Sequence, residues 1–161
     1  MADLSPTTGE EYYSGSWQDI QDVLRVLNIG EGKMDQVKQP MVNRYQEMVD
    51  RDMDAIMGEV YQVPIRAMNQ MQPSGNLKRV FPGDVRRAAR YWTAGQLLVS
   101  EFQQLEANIT EQATQMVVDA RLQLFAMIRP NHRIPGQRRK SNISRTMPPN
   151  MQPSAYPERP T

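Results

Sequence analysis

Pro82-Gly83-Asp84-Val85-Arg86-Arg87-Ala88-Ala89-Arg90-Tyr91-Trp92 is the stretch that decides the fold class. Proline suits the start of a helix, where a missing N–H costs nothing. Behind it Val85, Ala88, Ala89, Trp92, Val99 and Phe102 recur at the spacing of one helical face. Gly95 lies midway, and glycine inside a helix costs about 1 kcal/mol relative to alanine. Close approach of another helix is the expected compensation.

Working outward, Asn108 with Glu111 suits the cap of a following helix. Its inward side is Ile109, Ala113, Met116, Val117, Ala120, Leu124 and Ile128, and it stops before Pro130. Upstream, Met34, Val37, Met41, Tyr45, Met48, Val49, Met53, Ile56, Met57 and Val60 keep a spacing of three or four. A regular helix is predicted from about Pro40 to Glu59, stopped by Tyr61-Gln62-Val63-Pro64, because the residue before proline is pushed away from the α region. Before it, Ser16 with Asp19 caps a short helix carrying Trp17, Ile20, Val23, Leu24 and Leu27, which Asn28, Gly30 and Gly32 end. Residues 65–81 read as a long connection in which Leu77–Phe81 has the composition of a short strand.

Four helices and no convincing sheet predict an all-α fold with a four-helix bundle-like body. Residues 1–15 are expected to be an extended N-terminal arm and 16–128 the helical domain. Residues 129–161 are expected to form a Pro-rich basic C-terminal extension. The expected buried set is Trp17, Ile20, Leu24, Tyr45, Met48, Ile56, Trp92, Val99, Met116 and Leu124.

Charge and composition support the division. The 161 residues carry a net charge of +1, yet residues 129–161 alone hold seven of the 19 Lys/Arg and one of the 18 Asp/Glu. They also hold seven of the 12 prolines but only two of the chain's 32 Leu, Ile, Val and Phe residues. Such a segment cannot bury enough apolar surface to offset its ordering entropy. With no Cys and one His, a disulfide scaffold, a Cys nucleophile and a multi-histidine metal site are excluded. No apolar run approaches the ~20 residues that span a bilayer, and the first residues lack a secretory pattern. A cytosolic soluble protein without membrane contact is expected.

Several motifs dissolve on inspection. Asp50, Asp52 and Asp54 imitate a calcium loop, but Ala55 replaces its glycine and Tyr61 its closing glutamate. Gly30-Glu31-Gly32-Lys33-Met34 lacks the first glycine and the hydroxyl residue of a phosphate loop. His132 lies in the proline-rich segment with no nucleophile beside it. No catalytic residue, metal site or cofactor site is expected, and the protein is read as a non-enzyme.

Two charge patterns remain. Arg86, Arg87 and Arg90 lie in the first turns of a helix, against its dipole by about 0.3–1 kcal/mol each, which suggests an acidic partner. Glu47, Asp50 and Asp54 on the long helix could supply one within the chain or, as favoured, across a subunit boundary, since unlike patches suit head-to-tail contacts, with plain solvation and nucleic acid as the other readings. In the extension, Arg129, Arg133, Arg138, Arg139, Lys140 and Arg145, with Ile134, Ile143, Met147, Met151 and Tyr156 as apolar anchors, suit a segment that orders on a partner. Nonspecific phosphate binding and simple solvation remain open for it. Twelve methionines suit either irregular core packing or an adaptable protein surface.

The order of the pieces resembles the head–tail connector proteins of tailed bacteriophages, also called adaptor or head-completion proteins. The likeness covers roughly residues 12–128. It rests on Trp17-Gln18-Asp19-Ile20-Gln21-Asp22-Val23-Leu24, the glycine turn, the long helix ending in Tyr61-Gln62-Val63-Pro64, and Pro82-Gly83-Asp84-Val85 opening a helix with Ala88-Ala89 and Tyr91-Trp92. It implies a structural virion subunit, made in the host cytoplasm, in a ring that is commonly twelve-fold. The ring would sit between the portal and a tail or neck protein, with DNA passing nonspecifically through its channel. Two other readings stay open: a nucleic-acid-binding helical protein with a basic tail, and a scaffold or regulatory helical protein outside any virion.

Overall fold

A computed structural model describes residues 12–102 and 105–140. The molecule is mostly helical: α1 (Trp17–Val26), α2 (Glu31–Met34), α3 (Gln39–Met57), α4 (Gly83–Glu101) and α5 (Ala107–Met127). Between α3 and α4 a hairpin of β1 (Met68–Met71) and β2 (Leu77–Val80) occupies most of the expected long connection. Its strands pair antiparallel from Met68–Val80 to Met71–Leu77, and Gly75 turns the chain at φ +85°. Val63-Pro64 is cis. Among the described residues, no helix is long and apolar enough to cross a membrane.

Five helices replace the expected four because Glu31–Met34 winds into one short turn of helix where the sequence reads only as a glycine break. The fifth helix starts earlier than expected, with Glu106 rather than Asn108 at its cap position. At α1 the expected cap is present: the Ser16 backbone N–H donates to the Asp19 carboxylate at 2.8 Å.

The long helices pack against one another, α4 most extensively along α5 and then against α3 and α1. Gly95 lies at the α4–α5 crossing, as its position suggests. A methyl group there would come within 2.6 Å of the Ala113 carbonyl oxygen. Two apolar clusters fill the interior. One joins Ile20 and Leu24 of α1 to Leu97, Leu98 and Ile109. The other joins Val49, Met53 and Met57 of α3 to Trp92, Leu124 and Met127.

The core face of α3 differs from expectation. Val42, Gln46, Val49, Met53 and Met57 point inward, Tyr45 and Ile56 are half-buried, and Met48 is exposed. Apolar residues cover two neighbouring faces of α3, so periodicity leaves its rotation open. The polar Gln46 marks the inner face. Its Nε2 donates to Ser14 Oγ at 2.8 Å and to the Gly15 carbonyl at 3.1 Å. Elsewhere in the expected core, Trp17 and Met116 are half-buried and Val99 is exposed, while Ile20, Leu24, Trp92 and Leu124 are buried.

Both expected boundaries of the body move. At the front, Tyr13 and Ser14 are buried, so the last residues of the supposed arm belong to the body. At the back, residues 129–140 fold onto it. Ile134 is 2% exposed and joins the second cluster. The Gln62 N–H donates to the Arg138 carbonyl, and the Lys140 N–H to the Val60 carbonyl at 2.7 Å. The Tyr61 hydroxyl ties the two ends together. It lies 3.1 Å from the carbonyl oxygens of Met127 and His132, and it accepts the Ile134 N–H. One well-placed isoleucine and a set of backbone bonds hold a segment whose average composition reads as coreless.

Candidate interaction surfaces

The acidic stretch of α3 divides between two faces, because residues four apart on a helix share a face and residues two apart do not. Asp50 and Asp54 point toward Tyr13. The Tyr13 N–H donates to Asp50 Oδ2 at 3.1 Å, and the Tyr13 hydroxyl donates to Asp54 Oδ1 at 2.5 Å while accepting the Ile65 N–H at 2.8 Å. The Tyr13 ring stands edge-on to Phe81, with centroids 4.9 Å apart. These groups form one wall of a cleft of about 680 Å³ that Arg66 and Arg79 also line. Asp52 lies at a separate groove beside Trp92 and Arg121. Among the described residues no group of acids and histidines could hold a metal ion.

Burial dominates the titration of this site. It pushes Asp50 up to about 7, against the pull of the Tyr13 N–H, and the charges of Asp54 and Glu47 push the same way. Burial also raises Asp54, although the hydrogen bond from Tyr13 opposes the shift. Tyr13 is raised by burial and then by its bond to Asp54.

The stability consequence has a definite sign. Between about pH 4 and pH 7 the folded chain holds a proton on Asp50 that the unfolded chain releases, so stability falls as pH rises through this window. One proton limits the slope from Asp50 to about 1.4 kcal/mol per pH unit. Asp50→Asn keeps an acceptor for the Tyr13 N–H and is expected to flatten this slope and to stabilise the protein at pH 8. Urea unfolding at pH 5 and pH 8 measures it. A wild-type stability that rises over this range would show instead that Asp50 is held as a favourable ion.

The arginine cluster is likewise partly engaged within the chain. Arg90 donates through Nε to the Ser14 carbonyl at 2.8 Å, and its guanidinium lies 3.2 Å from Asp19. Arg86 is half-buried; Arg87 is exposed and stacks over Tyr91 at 5.8 Å. With Val23 and Gly83 these arginines line a hollow of about 380 Å³. Of the six residues proposed to meet across subunits, Asp50, Asp54 and Arg90 thus fasten Tyr13 and Ser14 to α3 and α4. Glu47 and Arg87 remain on the surface.

Arg139, expected on the partner-binding extension, turns inward. Its guanidinium donates to the carbonyls of Ile128, Arg129, Pro130 and His132 at 2.8–3.3 Å and covers the Tyr61 ring at 5.2 Å. It closes the C-terminus of α5, where carbonyls lack helical partners and a cation is favoured. Arg133 and Arg138 are exposed and Lys140 half-buried. Ile143, Arg145, Met147, Met151 and Tyr156 lie outside the described residues, as do residues 1–11 of the arm.

Sequence reasoning missed Tyr13, Ser14 and Gln46 as organising residues, and it read Tyr61 as the stop of the long helix and Ile134 as an anchor for a partner, whereas both pack in the core of the body. Tyr12-Tyr13, an aromatic pair in an otherwise polar stretch, was the available signal. No family model matches the chain, and neither a curated protein nor a solved structure shows significant similarity to it.

Proposed function

We propose that the chain is a structural subunit of the head–tail junction of a tailed bacteriophage. In this reading its helical, bundle-like body joins identical copies in a ring, of the twelve-fold kind common for such assemblies. One face of the ring meets the portal and the other a tail or neck protein, and DNA passes through the centre without sequence recognition. The chain catalyses nothing. The observation that carries the reading is the order of elements on one chain. A short α1 and a glycine turn precede the long α3, which ends near Tyr61–Pro64, and Pro82-Gly83-Asp84 opens α4. Exposed Arg87 and Glu47, on different helices, supply unlike charges for a head-to-tail contact.

Electron microscopy of the purified chain mixed with portal rings tests it directly. A closed ring of subunits on one portal face is expected, and particles carrying one or two copies would sink the reading. Residues 141–161 are assigned to docking. A chain ending at Lys140 is expected to fold normally and to bind portal or tail partners more weakly in a pull-down at low and at physiological salt. Equal binding by both chains would make the segment a passive extension. Binding of the free chain to DNA with steep salt dependence, without any ring, would favour the nucleic-acid-binding reading instead.

A further inference from the structure

Helix α5 is apolar on two opposite sides. Ile109, Ala113, Ala120, Leu124 and Met127 are buried in the interior. Half a turn around the helix, Val118, Leu122 and Phe125 follow one another at spacings of four and three. They are 44%, 60% and 47% exposed. A helix apolar on both sides is ordinarily covered on both sides. Exposed charges of opposite sign flank the outward line: Glu111 seven residues before Val118 within α5, and Arg129 four residues after Phe125 in the turn just past the helix end at Met127. Acid, apolar centre and base therefore follow one another along α5 and the turn that ends it.

That order selects an occupant. A second α5 laid antiparallel, with the two-fold axis level with residue 120, brings Glu111 of each copy beside Arg129 of the other. Val118 of each copy then meets Leu122 of the other beside the axis. A parallel arrangement would set acid against acid and base against base. We propose that a second copy of this chain docks antiparallel on the outer face of α5, making a self-complementary two-fold dimer. Such a contact closes at two copies. It is therefore separate from the head-to-tail contacts of a ring and does not depend on them.

Sedimentation of the purified full-length chain from about 1 to 100 μM, the range of modest protein affinities, is expected to show a monomer–dimer equilibrium. Leu122→Glu places two like charges near the axis and is expected to leave only monomer. Glu111→Arg and Arg129→Glu are each expected to weaken association by about tenfold, the scale of two surface charge pairs reversed together. The double variant Glu111→Arg/Arg129→Glu is expected to regain wild-type affinity, as is an equimolar mixture of the two single variants. All four residues substituted or paired here are on the surface, and far-UV circular dichroism verifies that each variant is folded. A chain that stays monomeric throughout the range overturns the proposal. So does a dimer indifferent to Leu122→Glu, or a double variant no better than either single one. Ring formation by Leu122→Glu on portal would show that the ring stands without the dimer, so the two readings fail separately.

Discussion

A chain ending at Ile128 is expected to melt about 10–20 °C below one ending at Lys140. The two differ only by residues 129–140. Removing them uncovers the apolar groups around Ile134, a loss comparable to the ~2–5 kcal/mol of a large core truncation. It also strips the Tyr61 hydroxyl of His132 and Ile134, leaving Met127 as its partner. The Ile128 carbonyl loses the Arg139 guanidinium, and the backbone of Val60 and Gln62 loses its bonds to Lys140 and Arg138. Release of the segment from its ordered state offsets part of this cost. A net loss of about 3–5 kcal/mol is a third or more of the stability of an ordinary domain, and for a chain of this size it corresponds to the stated shift. Ile134→Ala in the full chain is expected to reproduce about half of it. Thermal melts followed by circular dichroism measure all three chains. Identical melting of the two truncated chains would show that residues 129–140 rest on the body without supporting it.

The same segment shows what the sequence could and could not reveal. Helical periodicity made α1, α3, α4 and α5 legible, and Gly95 pointed to the contact between α4 and α5. Leu77–Phe81 suggested β2. Its partner β1 was hidden because Met68-Asn69-Gln70-Met71 has no alternation, every residue being exposed. Composition averaged over 33 residues concealed a single buried isoleucine and an arginine that caps α5 through backbone carbonyls. Carbonyl positions are a product of the fold and leave no trace in side-chain pattern. The rotation of α3 was hidden for a related reason. Its inner face is fixed by Gln46 reaching Ser14 and Gly15, partners about thirty residues away. Of the charged sites, Glu47 and Arg87 lie on the surface. Asp50, Asp54 and Arg90 do not act as free surface charges, because Tyr13, Ser14 and Asp19 engage them first.

Gly95→Ala is expected to destabilise the protein by about 1–2 kcal/mol, although alanine is the better helix former. Intrinsic propensity alone predicts a gain of about 1 kcal/mol in the interior of α4. The surroundings reverse the sign. A Cβ on Gly95 would come within 2.6 Å of the Ala113 carbonyl oxygen, 2.9 Å of Val117 Cγ2 and 3.4 Å of Met116 Cβ. The nearest of these atoms is backbone, so no side-chain rotation relieves the contact, and α5 must move away from α4. Overpacking of this kind typically costs about 1–3 kcal/mol and exceeds the propensity gain. Gly95→Leu drives the helices further apart and is expected to cost more than the alanine, with loss of near-ultraviolet signal from Trp92, which packs in the adjoining cluster. Gly83→Ala provides the control. It lies in the first turn of the same helix with nothing within 4 Å of its Cβ position, so a change within about 0.5 kcal/mol is expected. Urea unfolding of the three variants beside the wild type decides the matter. A Gly95→Ala protein more stable than the wild type would mean that α4 and α5 separate at little cost, and that the close crossing is not what holds glycine at this position.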